Sequence, residues 1–134
     1  MIDIESEIFD IVSKKLKEKY NPIYVTGEIV KSPPSFPCVS IVERDNQVYR
    51  HTRTSSATEN HAELMYEVNV YSNLSKRKKA ETKGILAIVD KEFAKLGFTR
   101  IMTSPISNGE EATIYRMIAR YRAVVSKEKV IYRR

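Results

Sequence analysis

The chain has 134 residues, with 23 Lys plus Arg against 17 Asp plus Glu, a formal net charge of +6. That length suits one domain with a core of its own, since domains hold roughly 100–200 residues and the buried fraction rises with size. Four Gly, five Pro and a single Cys exclude collagen-like, low-complexity and disulfide-stapled classes. The longest apolar run, Ile85-Leu86-Ala87-Ile88-Val89, falls far short of the about 20 residues a membrane span needs. The acidic start, Met1-Ile2-Asp3-Ile4-Glu5, lacks the apolar stretch of a secretory signal. These features lead us to expect a soluble, basic, cytoplasmic-type chain with no membrane partner.

Residues 2–20 predict an amphipathic helix with Ile4, Ile8, Ile11, Val12 and Leu16 on its buried face. Its acids come early (Glu5, Glu7, Asp10) and its lysines late (Lys14, Lys15, Lys17, Lys19), which complements the helix dipole. Pro22 stops it. Ile23 to Val30 can extend, Ser32-Pro33-Pro34-Ser35 reads as a rigid connector, and Phe36 to Glu43 as a strand. Asp45-Asn46 suggests a turn, with Gln47 to Arg53 returning as a hairpin partner. The polar stretch 44–60, above all Thr54 to Asn60, is the expected mobile loop.

His61 to Ser72 predicts a strand. Ala62, Leu64, Tyr66, Val68 and Val70 alternate with His61, Glu63, Glu67 and Asn69, the period-two pattern of a sheet wet on one face. Met65 and Tyr71 interrupt that polar face and suggest partial cover by a partner. A second helix is expected over Lys76–Leu96, with Ser75 as N-cap and an apolar stripe of Ala80, Ile85, Ile88, Val89, Phe93 and Leu96. Gly97 stands where a left-handed C-terminal residue belongs, with Phe98 closing the hydrophobic contact. Gly84, inside the helix, implies a close helix–sheet approach.

Thr99 to Ser104 forms a short strand, Asn108-Gly109 a hairpin turn, and Ala112 to Ser126 the longest strand. Tyr115, Met117, Ala119, Tyr121, Ala123 and Val125 make its apolar face; Arg116, Arg120 and Arg122 mark the other. Lys127 to Arg134 reads as a basic tail in which Val130, Ile131 and Tyr132 can add a strand to a neighbour. Two helices and several strands without strict βαβ alternation point to an α+β fold, with both helices on one face of a small, mainly antiparallel sheet.

Signals of catalysis are thin. The scattered glycines make no phosphate-binding loop, and Cys38, His51 and His61 are too few for a structural zinc site. Cys38 and His61 would form a nucleophile pair only if they met in space; Cys38 reads more naturally as a small core hydrophobe. Glu63 and Glu67 sit about 13 Å apart on one strand face, too far for acid–base work, and Glu110-Glu111 flanks a turn. The expectation is a non-enzymatic chain with no cofactor or metal.

The basic residues carry more information. Lys76, Arg77, Lys78 and Lys79 place positive charge at the positive end of the second helix, a local cost that suits an external anionic partner. Arg116, Arg120 and Arg122 suit carboxylates and phosphates equally, and can pair across strands with Glu63 and Glu67. Arg133 and Arg134 complete the basic set, and Arg44, Tyr49, Arg50 and Arg53 are candidate loop contacts.

Taken together, the segments Ser35-Phe36-Pro37-Cys38-Val39-Ser40-Ile41 and Tyr66-Glu67-Val68-Asn69-Val70-Tyr71-Ser72-Asn73, the helix ending Leu96-Gly97-Phe98-Thr99-Arg100 and the strand opening Thr113-Ile114-Tyr115-Arg116 resemble the tail terminator, or tail-to-head joining, proteins of long-tailed bacteriophages. The likeness spans nearly the whole chain in element order. It implies an α+β virion protein without catalytic residues, located in the tail or neck and assembled in the host cytoplasm. It implies a hexameric ring that stops tail-tube growth, joins the tube protein to the head connector and lets DNA pass through. A non-specific nucleic-acid-binding domain is the runner-up reading, and a neighbouring neck or head-completion protein a further alternative. On the ring reading, the positive charge is expected to serve assembly contacts.

Overall fold

A computed structural model describes residues 1–48, 61–107 and 113–132. In chain order the elements are α1 (Glu5–Lys19), β1 (Tyr24–Thr26), β2 (Cys38–Val48), β3 (His61–Ser72), α2 (Lys78–Leu96), β4 (Thr99–Ile106), β5 (Tyr115–Ser126) and β6 (Ile131–Tyr132). The strands form one sheet in the order β1-β2-β3-β5-β4, with β6 pairing β5 beyond the end of β4. Among the described residues only the β1–β2 pairing is parallel. Two helices on a mostly antiparallel open sheet make this an α+β fold, as the sequence predicts.

The core follows from period two. Ala62, Leu64, Tyr66, Val68 and Val70 of β3 face the helices and are fully buried. Their register partners on β5 are Val125, Ala123, Tyr121, Ala119 and Met117, the apolar set read from the sequence. Helix α1 packs Ile8, Val12 and Leu16 onto this face, and α2 adds Ile85, Val89 and Phe93. Tyr66, Phe93, Phe98 and Tyr121 form an aromatic cluster at its centre. Phe93 stacks flat on Tyr121 at 4.4 Å between ring centroids, and meets Phe98 edge-on at 5.2 Å.

The ends of α2 are set by different means. Gly97 is left-handed (φ 99°), its N–H bonds the Ala94 carbonyl, and the Phe98 N–H bonds the Phe93 carbonyl. A Cβ there must enter a region L-residues avoid, so Gly97→Ala is expected to cost about 1–2 kcal/mol. Gly84 is different: it is exposed, and a Cβ on it would meet nothing within 4 Å. The close approach inferred for Gly84 is therefore absent, and Gly84→Ala is expected to stabilise by about 1 kcal/mol through helix propensity. Urea denaturation of the two variants checks both signs; a stabilised Gly97→Ala or a destabilised Gly84→Ala contradicts this account.

Several expectations need correcting. Asp45-Asn46 makes no turn: β2 runs through it to Val48, antiparallel to β3. A bulge between Glu43 and Asp45 absorbs the irregularity, and Asn46 Nδ2 donates to the Ile2 carbonyl at 2.8 Å instead of closing a hairpin. Residues 44–48 thus belong to a strand; the rest of the expected loop lies outside the described residues, as does Asn108-Gly109. Ser75 is not the N-cap of α2. Arg77 holds that place without a side-chain hydrogen bond, because left-handed Lys76 (φ 67°) turns the chain after Ser75. Ile11 is 44% exposed and Ala80 is exposed, while Thr82, Leu86 and Glu92 are buried instead. Part of the expected tail, Ile131–Tyr132, is strand β6 on β5 of its own chain.

Candidate functional site

Both helices cover one face of the sheet, so the opposite face and the ends of the elements carry the candidate residues. On the helix-free face β3 contributes Glu63, Met65, Glu67, Asn69 and Tyr71, and β5 contributes Arg116, Ile118, Arg120, Arg122 and Val124. The register sets Glu67 opposite Arg120, Tyr71 opposite Arg116, Met65 opposite Arg122 and Glu63 opposite Val124.

These side chains form a connected ladder. Arg120 reaches Glu67 Oε1 with Nε at 3.2 Å and with its terminal amino group at 3.1 Å. Glu67 Oε2 accepts from Asn69 Nδ2 at 3.2 Å, and Asn69 Oδ1 accepts from Arg116 Nε at 2.9 Å. The Arg116 guanidinium lies 5.4 Å from the centre of the Tyr71 ring, within cation–π range. Tyr71 donates to the Val30 carbonyl at 3.1 Å and Ser40 to the Glu28 carbonyl at 2.7 Å, so the segment after β1 folds over this part of the sheet.

The pairing expected for the arginines is therefore met for Arg120 with Glu67. Arg116 goes to Asn69 and Tyr71, and the register turns Glu63 towards Val124 and Gln47. Arg122 is exposed between Met65 and Thr99. The face is also drier than its sequence predicts. Glu67 and Asn69 are 8% and 5% exposed, because arginine stems and neighbouring strands lie over them. Ile118, at 4% exposed, sits between the two arginines, and half-buried Met65, Val124, Met102 and Ile106 surround the ladder.

The basic run occupies the approach to α2. Lys76 and Arg77 precede the helix, and Lys78 and Lys79 open it. Tyr20, just after α1, donates to Glu81 in the first turn of α2, and Ser72 at the end of β3 donates to the same carboxylate. That hydrogen bond, with burial second, pushes the Tyr20 hydroxyl up to about 12. The clamp brings the lysine-rich end of α1 to the lysine-rich start of α2. Arg44 is exposed at the β2 bulge. Tyr49, Arg50, Arg53, Arg133 and Arg134 lie outside the described residues, with Glu110 and Glu111 of the β4–β5 connection.

Cys38 and His61 do not form a nucleophile pair. Cys38 pairs with Tyr71 near one end of β3, and His61 begins the other end, ten residues or about 33 Å away. Cys38 is fully buried, and burial pushes its thiol up to about 11, the opposite of activation. Three carboxylates, Asp3, Glu5 and Glu43, lie within 4.8 Å of one another. Their oxygens already accept from the backbone of Glu5, the backbone of Glu43 and the Tyr66 hydroxyl, so the cluster reads as the anchor of α1 on β2. Burial raises the pKa of Glu43 and of Tyr66.

No protein-family model and no curated protein matches the chain.

Proposed function

We propose that the chain is a bacteriophage virion protein without catalytic activity, forming a ring at the head-proximal end of the tail tube. In this reading the ring stops tube polymerisation and joins the tube protein to the head connector, with DNA passing through. The observation that carries it is the helix-free sheet face. There, half-buried Met65, Met102, Ile106 and Val124 frame a polar ladder whose hydrogen bonds are made within the chain. The Glu67–Arg120 pair can be covered by another protein surface with its charge balanced, while Arg116 and Arg122, which have no carboxylate partner among the described residues, are cations for that surface to meet. The resemblance of element order supports the same assignment, and the α+β architecture agrees with it.

A closed ring requires heterologous contacts, one patch on each copy meeting a different patch on the next. The helix-free face supplies one patch. The double variant Met65→Asp/Met102→Asp is expected to abolish ring formation while keeping the native circular dichroism spectrum, because both side chains lie outside the helix-covered core. Light scattering with size-exclusion chromatography checks this. Rings that persist in the variant rule out this face as the contact.

A further inference from the structure

We infer that the end of the molecule where α1 finishes and α2 begins is a binding surface for the phosphate backbone of nucleic acid. Lys17 and Lys19 lie in the last turn of α1; Lys76 and Arg77 precede α2; Lys79 and Lys83 lie in its first two turns. All six are exposed. The Tyr20–Glu81 hydrogen bond holds the two stretches together, so residues some sixty apart in sequence become one surface.

The acids nearby offset only part of this charge. Glu81 keeps its negative charge while accepting from the Tyr20 and Ser72 hydroxyls, and Glu18 lies 3.8 Å from Lys15, so the six cations still outnumber the acids set among them. Lys15, Lys95, Arg100, Arg120 and Lys129 stand in ion pairs, and none of them is one of the six. The carboxylates Asp3, Glu5 and Glu43 sit at the far end of α1, 15 residues or about 22 Å away. That distance is more than two Debye lengths at physiological salt, so they do little to neutralise the basic end.

The composition selects the partner. Five of the six cations are lysines, compact charges on flexible stems, and the residues between them are small or polar apart from Tyr20 and Leu74. Protein interfaces are depleted of lysine at their centres and built on clustered aromatic or arginine anchors; here the single arginine, Arg77, stands among lysines, and Tyr20 is half-buried with its hydroxyl tied to Glu81. Sequence-independent phosphate contact requires clustered positive charge that releases counterions, without base-reading groups. The helix-free face, with its apolar rim, suits protein; the basic end suits a polyanion. This inference is independent of the ring, because the surface is complete on one chain.

The test is fluorescence anisotropy of the full-length protein with a labelled duplex of about 30 base pairs, titrated across about 50–200 mM salt. Binding is expected to weaken with salt at a slope of about −0.9 per phosphate neutralised. Lys76→Gln/Lys79→Gln/Lys83→Gln should lower affinity at least about tenfold at low salt and reduce the slope by about 1 per lysine that contacts phosphate. Lys91→Gln/Lys127→Gln, placed elsewhere, should change affinity less than about twofold. Unchanged circular dichroism in both variants separates lost contact from lost fold. Absent binding at low salt, equal losses in the two variants, or a polyglutamate peptide bound as tightly as the duplex would each overturn the inference. Ring formation, followed separately by light scattering, reports on the assembly reading whatever this titration shows.

Discussion

Phe93→Ala is expected to lower the free energy of unfolding by about 3–5 kcal/mol, the largest effect of any single substitution considered for this chain. Phe93 is fully buried, stacks on Tyr121, and contacts Tyr66 and Phe98 with ring centroids 6.0 and 5.2 Å away. Truncation removes the transfer energy of the ring and leaves a cavity walled by three rigid aromatics. Such walls collapse poorly, which puts the cost near the top of its range. The aromatic pair terms, about 0.5–1.5 kcal/mol each, are lost as well. Phe93→Leu keeps most of the volume and should cost about 1–2 kcal/mol, so it remains measurable if the alanine variant does not fold. Urea denaturation reads both. A loss below about 1 kcal/mol for the alanine variant would show that the cluster is not the keystone between α2 and the sheet.

Breaking the sheet-face ladder is the second large effect. Arg120→Ala leaves the Glu67 carboxylate with Asn69 as its side-chain partner, in a site where its side chain is 10% exposed. Breaking a fully buried pair from one side costs about 3–5 kcal/mol. Arg120 is 43% exposed on its side chain, so solvent screening reduces this to about 2 kcal/mol. The double variant Glu67→Gln/Arg120→Met removes both charges at similar volume and should lie within about 1 kcal/mol of the parent. A double variant that is as unstable as the sum of its single changes would mean the two residues act independently, against the geometry.

The fold was legible where a strong period met an unambiguous boundary. His61 to Ser72 reads correctly because five apolar residues alternate without interruption, and Gly97 because few residues tolerate a left-handed helix end. Both depend on local physics. The misreadings share a different cause: each depended on partners far along the chain. Asp45-Asn46 has turn chemistry, yet β3 offers ten register partners to β2, and a bulge is cheaper than losing that pairing. Glu67 and Asn69 look wet in sequence; the register that sets Arg120 opposite Glu67, and the diagonal hydrogen bond from Arg116 to Asn69, place them in a closed ladder. Cys38 and His61 could meet on paper until β3 set its full length between them. The basic run at Lys76–Lys79 was visible at once; its junction with Lys17 and Lys19 depends on the Tyr20–Glu81 contact, which no spacing rule contains.

The two surfaces divide the charge question that the composition raises. Arg116 and Arg120 are committed to neighbours within the chain and help flatten a face suited to another copy. Lys17, Lys19, Lys76, Lys79 and Lys83 at the helix junction are exposed, the surface proposed above for an outside anion.

The most direct test of the central reading is electron microscopy of the purified protein, alone and mixed with isolated tail tubes. Closed rings, or particles capping one end of each tube, are expected, both lost in Met65→Asp/Met102→Asp. A protein that stays monomeric, leaves tube ends bare and does not attach to head connectors would contradict it.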